Sequence, residues 1–102
     1  MKTKKQIMDK DLHDLAKSIV GLQKELVKQT LLVRKPDVER IIHSNSRDIH
    51  TIEHTLDALC EVAFDNEVLF LFKKLCRYYY NIDPKATVNQ IRFYREMWDD
   101  EE

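Results

Sequence analysis

Residues 8–63 decide the fold, and they read MDKDLHDLAKSIVGLQKELVKQTLLVRKPDVERIIHSNSRDIHTIEHTLDALCEVA. This stretch contains two runs of residues, mostly apolar, in alternating steps of four and three. Such steps are the a/d spacing of a coiled-coil seam, so each run predicts a helix with one continuous apolar edge. The first run is Met8, Leu12, Leu15, Ile19, Leu22, Leu26, Gln29 and Val33; the second is Val38, Ile42, Asn45, Ile49, Ile52, Leu56, Leu59 and Ala63.

The two runs are mirror images about Lys35-Pro36. Each residue of one run has a counterpart in the other at the same distance from this point. The symmetry predicts a long antiparallel helical hairpin that turns at Pro36, because a residue before proline disfavours helical geometry and proline suits a helix start. A continuous helix through Pro36 is the alternative. In the hairpin, Gln29 and Asn45 would lie in neighbouring layers of the seam near the turn, where they either fix the register or leave a layer open to water.

The residues after 63 predict two shorter helices, because all nine aromatic residues lie there at helical spacing. Asp65 is a suitable N-cap for the first, over 67–81. The second begins at Asp83-Pro84, or later with Thr87 as its cap. We therefore expect an all-α helical bundle in a single domain, 1–102. Its parts are a basic lead-in over 1–8, the coiled-coil-like hairpin over 9–64, an aromatic two-helix part over 67–98 and an acidic tail over 99–102.

Composition excludes several classes of function. The net charge of −1 gives no overall attraction to nucleic acid or to a membrane surface. The longest apolar run near the middle, 68–72, is far shorter than a membrane span. The N-terminal lysines precede no apolar segment of a secretory signal, so we expect a cytoplasmic protein. Cys60 and Cys76 are the only cysteines, and we expect free thiols rather than a disulfide framework.

Helix 1 carries a second apolar stripe beside its seam, formed by Ala16, Val20, Val27 and Leu31. One seam cannot bury both stripes, and the two short helices cannot cover both long ones. The uncovered stripe predicts self-association, most simply as a homodimer, or binding of another protein partner. The sequence also lacks a phosphate-binding loop and any recognisable catalytic nucleophile. We therefore expect a non-catalytic interaction or regulatory protein that needs no cofactor and has no small-molecule substrate.

A lesser alternative is a metal site on the second helix. His50, Glu53 and His54 match the H-x-x-E-H pattern of some zinc proteases. Two histidines four residues apart share a helix face and can hold Zn²⁺, with Asp57 or His43 completing the ligands. Five-residue patterns of this kind recur by chance, however, and a chain of this length has no room for a protease cleft.

The main alternative is nucleic-acid binding through the last two helices. Their cations alternate with aromatic residues, and the two helices have helix-turn-helix proportions. The same aromatic residues are needed for the core, which favours the interpretation of solvated cations around it. The cations that would contact phosphates are Lys73, Lys74, Arg77, Arg92 and Arg95.

Overall fold

The computed structural model describes the backbone of residues 2–98 and the side chains of residues 12–98. Within this range the chain forms four α-helices and no strand, which confirms the all-α class and the small helical bundle. The acidic tail over 99–102 lies outside the described residues, as does Met1 of the lead-in. The helices are α1 (Lys2–His43), α2 (Ile49–Cys60), α3 (Asn66–Tyr80) and α4 (Pro84–Trp98).

The predicted turn at Lys35-Pro36 is wrong, because α1 continues through Pro36 to His43. A proline inside a helix removes one backbone donor and normally kinks or ends the helix. Two observations explain why the helix continues here. Asp37 accepts hydrogen bonds from Arg34 and Arg40 on either side, at 3.1 and 2.7 Å, and Val38, two residues after the proline, is fully buried. Packing of this segment into the core outweighs the local preference of proline.

The chain reverses instead at residues 44–48, beyond the end of α1. Asn45 adopts the left-handed conformation with φ 53°, its N–H binds the Ile42 carbonyl and the N–H of Ser46 binds the Ile41 carbonyl. These two hydrogen bonds form a Schellman motif, in which asparagine is the usual substitute for glycine. Asn45 is thus a helix-ending residue rather than a polar layer of a seam.

Asp48 and Asp65 begin the next two helices as N-caps. The Asp48 carboxylate accepts hydrogen bonds from the N–H and the hydroxyl of Thr51, and these bonds lower the pKa of Asp48. Asp65 accepts from the N–H groups of Glu67 and Val68, as the sequence predicts. Asp83 accepts from Ala86 N–H at the start of α4, so this helix begins at Asp83-Pro84 and not at Thr87.

The core lies where the C-terminal part of α1 meets α2 and α3. Helical spacing in the sequence predicts an inward face for α3 made of Val68, Leu71, Phe72, Leu75, Tyr79 and Ile82; the first five are buried and Ile82 is partly buried against the core. Tyr78 donates a hydrogen bond to the Ser46 carbonyl at 2.6 Å and so ties the first turn to α3. The buried apolar residues are Val38, Ile41, Ile52, Leu56, Leu59, Cys60, Val62, Ala63, Val68, Leu71, Phe72, Leu75, Cys76 and Tyr79.

Helical spacing in the sequence predicts an inward apolar stripe of Val88, Ile91, Tyr94 and Trp98 on α4, and the helix is rotated away from this orientation. Thr87 and Gln90 are its buried residues, whereas Val88 and Ile91 are exposed. The Thr87 hydroxyl donates a hydrogen bond to the Asp83 carbonyl at 2.8 Å, so Thr87 can face the core without leaving a polar group unpaired. Trp98 donates to the Cys60 carbonyl at 2.6 Å, which fixes the end of α4 against the end of α2.

Candidate interaction surfaces

The N-terminal half of α1 extends beyond the bundle. The longest dimension of the molecule, 62 Å, is close to the length of a 42-residue helix, about 63 Å at 1.5 Å per residue. Every residue from Leu12 to Leu26 is exposed, although the segment is rich in leucine and isoleucine. The bundle therefore covers only the C-terminal part of this helix.

The exposed apolar residues of this segment are those of the heptad run. We call the described members of that run the α1 seam: Leu12, Leu15, Ile19, Leu22, Leu26, Gln29 and Val33. Its apolar members are between 47% and 68% exposed, which is unusual for so many large aliphatic side chains in one row. The mirror symmetry about Lys35-Pro36 predicts that Leu15 pairs with Leu56 and Leu22 with Ile49. These pairs do not form: Leu56 is fully buried, whereas Leu15 and Leu22 are exposed.

The second apolar stripe of α1 faces the bundle, at least in its C-terminal half. Val27 and Leu31 pack against the core, and on the continuous helix they share a face with Val38 and Ile41. Of the other two members, Ala16 is exposed, whereas Val20, although 50% exposed, lines a shallow crevice with Phe64 and Asp65. The bundle thus lies against the second stripe and leaves the seam exposed, whereas the sequence predicts that the seam is covered. The reason is the uninterrupted helix, which places Val38 on the same side as Leu31.

Gly21 and Gln29, both on α1, lie in open surroundings. Gln29 donates a hydrogen bond to Glu25 on its own helix at 2.8 Å. A Cβ atom added to Gly21 would meet nothing within 4 Å, so no neighbouring helix approaches it in this chain. The glycine therefore lowers the helix stability of this segment without serving a contact of the bundle.

The predicted metal ligands are dispersed along exposed surface. His50, His54 and Asp57 lie on α2 and are exposed, while His43 ends α1 and its Nδ1 lies 2.9 Å from the Glu39 carbonyl oxygen. Among side chains 12–98, no group of three or more His, Cys, Asp or Glu residues is arranged to hold a metal ion. His50 and His54 keep only the i, i+4 spacing that the sequence shows.

Three of the five cations predicted to bind nucleic acid line one groove between α3 and α4. Lys73, Arg77 and Arg95 surround a floor that includes Phe72 and Tyr94, whose rings lie 5.5 Å apart. The other two, Lys74 and Arg92, are half-buried and exposed respectively and do not line this groove. Nucleic-acid binding through these five residues stays a prediction, which a gel-shift assay at low and high salt would test.

The two cysteines are buried free thiols in the core. Burial raises the pKa of Cys76 to about 12 and also raises the pKa of Cys60. Both thiols thus keep their protons at neutral pH, and a protonated buried thiol is a weak nucleophile. Tyr79 is buried too and donates to Glu53 at 2.5 Å; burial and this hydrogen bond raise the pKa of its hydroxyl.

Comparison of the chain with models of known protein families, with curated proteins and with solved structures gives no match. Within residues 2–98, none of the helices combines the length and the apolar character needed to cross a bilayer. The arguments for function therefore rest on the surfaces described above.

Proposed function

We propose that this chain is a non-catalytic interaction protein that self-associates through the α1 seam. The observation that carries the proposal is a heptad-spaced apolar row, Leu12 to Val33, left exposed on a helix whose opposite side packs on its own bundle. Heptad spacing keeps an apolar edge facing a partner helix along its whole length, and a single chain gains nothing from exposing such an edge.

A second copy of the chain is the partner that fits this row most simply. Its own α1 supplies an apolar edge of the same length and spacing. Pairing two copies along Leu12 to Val33 would bury about 1,200 Å² in total, at the lower end of the range for specific interfaces. The a positions are then Leu12, Ile19, Leu26 and Val33, and the d positions are Leu15, Leu22 and Gln29.

The e and g positions, which flank the seam, do not oppose the pairing of two copies. The described e positions are Ala16, Gln23 and Thr30, which are uncharged, and the described g positions include one charge, Glu25. The lysines between Leu12 and Val33 lie at outer positions, Lys17 and Lys24 at f and Lys28 at c, where they remain solvated in a dimer. Repulsion between like charges across the seam is thus small.

Sedimentation equilibrium over a range of micromolar concentrations tests the proposal. We expect a concentration-dependent dimer that Ile19→Asp abolishes, since this change places a carboxylate in the middle of the seam. His13→Asp adds the same group to the outer side of α1 and is the matched control. A wild-type monomer at every concentration, or equal loss in both variants, would contradict self-association through this row.

A further inference from the structure

The groove between α3 and α4 is separate from the α1 seam and has a cavity volume of about 390 Å³. Its floor is apolar and includes Leu69 and Phe72 from α3 and Ile91 and Tyr94 from α4. Helix α4 packs on the core through Thr87, Gln90 and Tyr94, which leaves Ile91 exposed at the groove. Volumes of this order and mostly apolar linings are typical of small-molecule sites.

The charged side chains that line this groove, among the described residues 12–98, are the cations Lys73, Arg77 and Arg95, and no acidic side chain of that range lies among them. Lys73 and Arg77 are four residues apart on α3, so both lie on the side of that helix that faces the groove. Because a short turn over 81–83 connects α3 to α4, Arg95 lies toward the Lys73 end, and Tyr80 lies at the turn end.

The crevice on the other side of α4 provides an internal contrast. It lies against α2, has a similar size of about 480 Å³ and also contains apolar side chains, Phe93 and Met97. Its charged lining residues, however, are all acids: Asp57, Glu61 and Glu96. The two sides of α4 therefore carry opposite charges beside apolar side chains.

We propose that the α3–α4 groove binds an amphiphilic monocarboxylate, with its apolar chain along the floor and its carboxylate against Lys73 and Arg77. A guanidinium and an ammonium beside apolar surface suit this group, because each makes a charge-assisted hydrogen bond to a carboxylate while the apolar floor contacts the chain. The stretch of α3 from Leu69 to Tyr80 rises about 16 Å, which accommodates an extended acyl chain. The proposal does not depend on the self-association of α1.

Isothermal titration with dodecanoate, below its micelle-forming concentration, tests the proposal, with dodecyltrimethylammonium as the probe of equal chain and opposite charge. We expect dodecanoate to bind and the cation not to bind in this groove. Arg77→Gln should weaken dodecanoate binding by about tenfold or more, the scale of a lost charge-assisted hydrogen bond. Lys85→Gln removes an exposed cation of α4 outside the groove and should leave the affinity unchanged.

A second pair of variants tests the apolar floor. Ile91 lines the groove and Val88 does not, yet both are exposed residues of α4, so neither change should prevent folding. Ile91→Asp should abolish dodecanoate binding and Val88→Asp should preserve it. Chemical-shift changes of backbone amides then report whether the ligand lies beside Lys73 and Ile91.

Several results would overturn the proposal. Equal binding of both amphiphiles would indicate unselective partition onto apolar surface, and equal weakening by Lys85→Gln and Arg77→Gln would indicate a general charge effect. No detectable dodecanoate binding would remove the site. Binding of an acidic amphipathic peptide without binding of dodecanoate would assign the groove to a protein partner instead.

Discussion

Truncation of one leucine in the α1 seam provides a quantitative test of self-association. Leu22 is 68% exposed in the single chain and occupies a central d position. In a paired seam, Leu22→Ala would remove about 65 Å² of buried apolar area from each copy, or about 3 kcal/mol per dimer at roughly 25 cal/mol/Å². This energy corresponds to an increase of about a hundredfold in the dimer Kd.

Val20 provides the matched control for this experiment. It lies two residues before Leu22 on α1 and is 50% exposed, but it belongs to the second apolar stripe. Val20→Ala should change the Kd by less than about threefold, since an exposed substitution away from the interface costs little. Alanine is a good helix former, so neither change should unfold α1.

Sedimentation velocity over a dilution series of the wild type and both variants gives the three dissociation constants. An unchanged Kd for Leu22→Ala would refute the pairing of two seams. A large effect of Val20→Ala with none of Leu22→Ala would show that the stripe of Ala16 and Val20 is the interface, as the sequence predicts. Circular dichroism of each variant checks that the helix content is preserved.

Three further predictions concern the fold. Pro36→Ala should raise the free energy of unfolding by up to about 3 kcal/mol in urea titrations, because it restores a donor inside a continuous helix; a loss of stability would instead favour a turn at this residue. Asn45→Ala should lower stability by about 1 kcal/mol whereas Asn45→Gly should not, since glycine, like asparagine, tolerates φ 53° and alanine does not; equal effects would contradict the Schellman turn. The urea midpoint should fall as the pH rises above 9, because the folded state holds the Cys76 and Tyr79 protons more tightly than the unfolded chain does. Tyr79→Phe should make this decline shallower above pH 10, and an unchanged slope would exclude Tyr79 as a cause.

The sequence contained the signals for the observed turn, but another pattern outweighed them. The run His-Ser-Asn-Ser-Arg-Asp over 43–48 combines a residue that tolerates the left-handed conformation with an N-cap three residues later. The mirror symmetry about Pro36 instead predicts that Asn45 lies in the seam of the hairpin. Local preference at a proline is worth a few kcal/mol, and the burial of Val38 and Ile41 on the same helix outweighs it.

The exposed face of α4 could not be obtained from periodicity alone. Apolar spacing selects Val88 and Ile91 as the buried residues, yet Thr87 and Gln90 are buried. The hydrogen bond of Trp98 to the Cys60 carbonyl and the packing of Tyr94 on Phe72 determine the rotation of this helix, and both are contacts between distant parts of the chain. The groove with its three cations follows from that rotation.

By itself, the sequence determined the all-α class, the cap at Asp65, the buried face of α3 and the presence of two apolar stripes on α1, because these follow from local hydrogen bonding and from helical periodicity. Only the tertiary structure decided which stripe of α1 the bundle covers. Periodicity shows that a helix face is apolar but does not show what covers it. That choice depends on whether the helix continues through Pro36, and the packing of Val38 and Ile41 against α2 and α3 settles it.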